Sequence, residues 1–145
     1  MFWDSSAMVP TLVPEQRSAM AASLLGSDRN VVLWWASPVE CQSAIHRHRR
    51  DDRISVRLLD EALSRLRDLV EDADVIPPTS ALRERAARLV ALHPLRAADA
   101  FQLAAALAWC SEAPRGNRFV CLDDRLRDAA RREGFDVVPA RRERH

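Results

Sequence analysis

Hydrophobic residues along this chain come in short runs, separated by longer stretches in which they recur every three or four positions. Met1-Phe2-Trp3, stopped by Asp4-Ser5-Ser6, reads as a short buried strand ending at a cap. Residues 7–25 then read as helix, bent or broken near Pro10 and Pro14 because proline removes a backbone donor and crowds the preceding turn. After Gly26-Ser27-Asp28, the run 31–35 is apolar without alternation, the pattern of a strand covered on both faces. Ser37-Pro38-Val39-Glu40 predicts a helix start, with Ser37 at the N-cap, Pro38 at the first helical position and Glu40 closing a capping box. Over 53–72, Leu59, Leu63, Leu66 and Val70 form one stripe among charged residues, so an amphipathic helix should pack there as a hairpin on the helix before it.

Asp74-Val75-Ile76 is a brief strand stopped by Pro77-Pro78, and 80–93 is another amphipathic helix, ended by Pro94. The next helix starts at Ala97 or Ala98, runs to Cys110 and is apolar on nearly every face, which places it centrally. A strand at 118–122, a helix at 124–133 closed by Gly134 and a last strand at 135–138 complete the pattern. Strands alternating with helices predict the α/β class: one domain over 1–140, right-handed crossovers and a mainly parallel sheet. Residues 141–145 read as a solvated, charged tail.

A length of 145 residues suits one domain with a single well-filled core. With 22 basic and 21 acidic residues the net charge is only +1, so any nucleic-acid binding must rely on a local patch. Every basic residue is arginine, most simply a matter of codon bias, yet the absence of lysine excludes P-loop and Schiff-base chemistry. It also argues against phosphoacceptor receivers and haloacid-dehalogenase-type phosphatases, whose acids are paired with a lysine. Cys41, Cys110 and Cys121 are odd in number and form no CxxC, and no charged-then-apolar signal segment opens the chain, so a reduced, cytoplasmic protein is expected. The most apolar stretch, 97–110, contains Asp99 and Gln102 and is too short to span a bilayer; no membrane association is expected.

Asp4, Glu40, Asp99 and Asp123 each sit where an apolar run ends or a helical pattern begins. In an open parallel sheet the carboxyl ends of the strands face one crevice, so four such acids could meet there around a divalent metal. Taken singly, each has a structural explanation. Glu40 completes a capping box, Asp4 and Asp123 cap helices, and Asp99 answers a helix dipole, with a cap worth about 1 kcal/mol. Asp99 resists that explanation most, because its helix is otherwise apolar and a buried carboxylate is costly without a cation or donors. Carboxylates without His or Cys suit Mg²⁺ or Mn²⁺ rather than zinc. Arg47, Arg49 and Arg50 with His46 and His48 read as a solvated helix face rather than an RNA patch. Trp3, Trp34, Trp35 and Trp109 read as core rather than base-stacking platforms. Cys41 reads as a buried helix thiol, and no Ser-His-Asp or Cys-His pairing has a supporting motif.

Four segments together resemble the motifs of PIN domains, specifically the VapC-type toxins of toxin–antitoxin pairs. They are Phe2-Trp3-Asp4-Ser5-Ser6-Ala7, Ser37-Pro38-Val39-Glu40, Leu95-Arg96-Ala97-Ala98-Asp99-Ala100-Phe101-Gln102-Leu103-Ala104 and Phe119-Val120-Cys121-Leu122-Asp123-Asp124-Arg125-Leu126. The third is the most specific, and the match spans essentially the whole chain. The resemblance implies a PIN-like three-layer α/β/α domain. It makes Asp4, Glu40, Asp99 and Asp123 the catalytic and metal-binding acids, for Mg²⁺ or alternatively Mn²⁺, with Ser6 supporting the first. It further implies a metal-dependent endoribonuclease that cleaves RNA, forms a homodimer and is neutralised by a cognate VapB-like antitoxin. Cys121 stands where family members often carry Thr or Ser, which implies a weaker supporting hydrogen bond. Asp124 leaves the fourth acid open between two neighbours, the family spacing to Leu126 favouring Asp123. Arg96 and Arg125 are candidates to steer phosphate, exposed structural arginines being the plainer reading. A catalytically silent PIN-like interaction module, and a PIN nuclease acting in RNA processing or on structured DNA, are the competing expectations.

Overall fold

Five short strands, β1 (Phe2–Trp3), β2 (Val32–Trp34), β3 (Asp74–Ile76), β4 (Arg118–Val120) and β5 (Asp136–Val138), lie side by side in the order β3-β2-β1-β4-β5 in the computed structural model, which describes residues 1–140. All four pairings are parallel, as alternation of strands and helices predicts. Parallel neighbours need long crossovers. These are supplied by α1 (Ser5–Leu12), α2 (Ser18–Ser27), α3 (Ser37–Arg50), α4 (Val56–Asp72), α5 (Ser80–Leu92), α6 (Ala97–Trp109) and α7 (Asp124–Glu133).

Successive strand residues point to opposite faces, and both faces are buried. Phe2, Val32, Trp34 and Phe119 join Leu82 and Leu89 of α5, Leu103 and Leu107 of α6 and Leu126 of α7 in one core. Trp3, Leu33 and Val120 face the other way, onto Met8 and Leu12 of α1, Cys41 and Ile45 of α3 and Leu66 of α4. The result is a three-layer α/β/α sandwich, which is why the strands read as unbroken apolar runs. In α6 the residues from Ala104 to Leu107 are all buried, as a central helix requires.

The break expected near Pro14 is present: 7–25 holds two helices, because Pro14 drives Val13 into extended backbone (φ −127, ψ 150), while Pro10 is accommodated inside α1. Other local expectations are corrected. The helix read over 53–72 begins only at Val56, where the Ser55 side chain accepts the Leu58 N–H as an N-cap. Trp35 is not core. It is 59% exposed, set edge-on to Trp34 just past the end of β2, with only its backbone N–H still bonded to the sheet at Ile76. The tail read at 141–145 lies outside the described residues, and among the described residues no helix is long and apolar enough to cross a membrane.

Candidate functional site

The strand order makes the chain wind outward from β1 in both directions, so the topological switch point, where open parallel sheets take their ligands, lies at the carboxyl ends of β1 and β4. Asp4 is the first residue beyond β1. It is buried, and its N–H donates to the Val120 carbonyl (2.9 Å), which pins it beside β4. Its carboxylate caps α1, Oδ2 accepting from the Ser6 N–H at 3.1 Å and also from the Ser6 hydroxyl. The Leu122 N–H donates to Ser6 Oγ (2.9 Å), which leaves the hydroxyl proton free to point at Asp4. Cys121 Sγ lies 3.6 Å from the same Oδ2, so the thiol does occupy the supporting position, as a weak sulfur donor.

Glu40 stands in the first turn of α3 but does not close a capping box. Its Oε2 accepts from the Ser5 hydroxyl (3.0 Å) and its Oε1 from Gln102 Nε2 (3.1 Å), so it is aimed at α1 and α6. Ser37 is no cap either. The N-cap is Ala36, with no side-chain bond, and the buried Ser37 Oγ accepts from Gln102 (2.9 Å). Tertiary donors have outcompeted the helix's own N–H groups for both side chains. Asp99 is half-buried in the first turn of α6. Asp123 caps α7 by accepting the Leu126 N–H (2.9 Å), and Asp124 is the first residue of that helix.

Electrostatics links the four. Burial pushes the Asp4 carboxyl up to about 6 against the Ser6 hydrogen bonds, with the charges of Glu40 and Asp99 adding to the rise. Burial raises Glu40 too, opposed by Ser5 and Gln102 and reinforced by Asp99. Asp99 is raised first by burial and then by Asp123, while Arg96 and Arg125 pull it down. Asp4, Glu40 and Asp99 are therefore close enough to repel one another, Asp123 is the neighbour of Asp99, and the two arginines are the local cations.

Among the described residues no three His, Cys, Asp or Glu side chains stand grouped as a ready set of ligands. The acids are neighbours, not a closed coordination shell. The donor chemistry nonetheless suits a hard cation, since it consists of carboxylate oxygens whose mutual repulsion a divalent ion would offset. Burial and the charge of Asp4 raise the Cys121 thiol well above its ordinary range, so it stands beside Asp4 as a protonated donor.

Three supporting side chains went unread in the sequence. Ser5 and Gln102 hold Glu40, and the buried Arg127 donates to the carbonyls of Cys121 (2.6 Å) and Pro139 (2.5 Å), bracing the segment that leads to Asp123. Gln102 left a signal, a lone amide in an apolar helix three residues after Asp99; Arg127 left none among the other arginines of α7. The basic face read at 46–50 is partly neutralised, His48 meeting Glu15 (2.7 Å) and Arg49 meeting Asp52 (3.2 Å). Compared with known proteins, the chain matches no family model and no curated sequence.

Proposed function

We propose that the chain is a metal-dependent endoribonuclease of the PIN-domain type, acting in the cytoplasm as a VapC-like toxin that a VapB-like antitoxin neutralises. The observation that carries this reading is the buried Asp4, raised to about 6 with Glu40 and Asp99 as its charged neighbours, at the switch point of an all-parallel sheet. Burying carboxylates beside like charges costs stability, and that cost has a rationale if a cation is to be held there.

Asp4, Glu40, Asp99 and Asp123 would hold Mg²⁺ or Mn²⁺, which when bound would lower the pKa of a water and offset charge developing on the phosphate. Ser6, Ser5 and Gln102 orient the carboxylates, and Arg96 and Arg125, beside Asp99, can draw the RNA backbone toward them. No protein nucleophile is required. A groove of about 380 Å³ bordered by Pro10, Leu12, Val13, Ala22 and Leu58 would take the apolar face of an antitoxin helix. That groove starts at Pro10 in the second half of α1, about 9 Å from Asp4 at 1.5 Å per residue, so the inhibitor would have to extend along α1 to cover the acids. A homodimer fits the same reading.

The test is cleavage of RNA in Mn²⁺ by the purified chain and by Asp99→Asn. Cleavage by the unaltered chain, lost at least 100-fold in the variant, is expected. No cleavage by either would favour the silent interaction module, for which the helix-capping bonds of Asp4 and Asp123 already speak. Cleavage without growth arrest on induction would favour RNA processing.

A further inference from the structure

Gln102 is a buried polar side chain that neither packing nor capping explains. It lies one turn after Asp99 on the same face of α6, as Glu40 lies one turn after Ser37 on α3. Its side chain is fully buried, and Nε2 spends both hydrogens across the gap between these helices, on Ser37 Oγ (2.9 Å) and on Glu40 Oε1 (3.1 Å). The amide's orientation follows, since turning it over would set Oε1 against the Glu40 carboxylate, two acceptors facing each other. As it stands, Oε1 is buried without a hydrogen-bond partner among the described residues. A methionine would fill the same space without that unmade bond. The amide therefore earns its place through Nε2.

The two helices belong to opposite layers, α3 with α1 and α4, α6 with α5 and α7. The Gln102 bond thus runs from one layer to the other over the end of the sheet. Ser5 holds the second oxygen of Glu40, so both oxygens are tied by donors from outside its own helix. We propose that Gln102 is a positioning residue of the nuclease site: it locks the Glu40 carboxylate opposite Asp99 before any cation arrives. This rests on the nuclease reading above.

The test compares Gln102→Met with the unaltered chain, and Glu40→Gln with the double variant. Mn²⁺ affinity is measured by paramagnetic resonance of the free ion, and kcat and KM by RNA cleavage. In the unaltered background Gln102→Met should weaken Mn²⁺ binding about 10-fold and lower kcat about 10- to 100-fold, with KM for RNA unchanged. In the Glu40→Gln background it should not weaken Mn²⁺ binding further, because the carboxylate it positions is gone. If Gln102→Met does not fold, Gln102→Asn, which keeps the amide but falls short of Glu40, should give the same pattern. A loss of equal size in both backgrounds would assign Gln102 to the fold alone. Binding and cleavage by the unaltered chain, with Gln102→Met indifferent, would overturn the proposal and leave the nuclease standing. An unaltered chain that neither binds Mn²⁺ nor cleaves RNA would overturn both.

Discussion

Asp4 is a buried carboxylic acid whose charge costs the fold stability. Its folded pKa of about 6 lies above the ordinary 3.8, so the folded state binds the proton more tightly than the unfolded one. The sign follows: the favourable contribution is full below about pH 4 and is lost as pH rises to about 6. The gap corresponds to ~3 kcal/mol. Asp4→Asn keeps an acceptor for the Ser6 donors but has no charge to bury. Without metal it should therefore be more stable than the unaltered chain at pH 7, by up to ~3 kcal/mol, the advantage shrinking toward zero near pH 4. Denaturant titrations of the two chains between pH 4 and 8 check this; a difference independent of pH would mean that the carboxylate is not strained by burial. Asp4 also shows how far single residues were legible. Its role as a cap was readable from the Asp-Ser-Ser that follows the strand, whereas its burial and its charged neighbours come from β4, α3 and α6.

At the scale of elements, α7 and α3 make a contrast. The helix over Asp124–Glu133 was read to the residue, because every signal in it is local. Asp123 caps it, Asp124 opens the first turn, Arg131 and Arg132 close the last, and Gly134 at φ +109 accepts the left-handed turn that ends it. Gly134→Ala should cost about 1–2 kcal/mol, since alanine resists that backbone conformation and its Cβ would meet Pro114 Cγ at 3.2 Å. A denaturant midpoint that does not move would show that the turn can be rebuilt. The helix α3 starts where Ser37-Pro38 places it, but its capping box does not form although the sequence for one is as plain as any. Gln102, 62 residues from Glu40 in the chain, and Ser5, 35 residues away, took the Glu40 side chain, and no sequence window of a helix's length contains them.

For the whole molecule, the strand order gathers acids from four separate stretches of sequence at one end of the sheet, and that gathering should appear as linkage. If a cation binds folded chain alone, Mn²⁺ at about 100 times its Kd should add ~2.7 kcal/mol of stability. Thermal melts should therefore shift upward in Mn²⁺ for the unaltered chain and much less for Asp4→Asn; equal shifts in both would remove Asp4 from the cation site. The α/β class and the parallel sheet could be read from the sequence because strand and helix periods, prolines and caps act over a few neighbouring residues. The four acids stood out for the same reason, each at the end of an apolar run or the start of a helix. Only the tertiary structure decided that Trp35 faces outward, that Ser37 and Glu40 bond to Gln102 rather than to their own helix, and that burial raises Asp4. Those outcomes depend on which distant donor or wall reaches a side chain first, a competition settled by the packing of the layers.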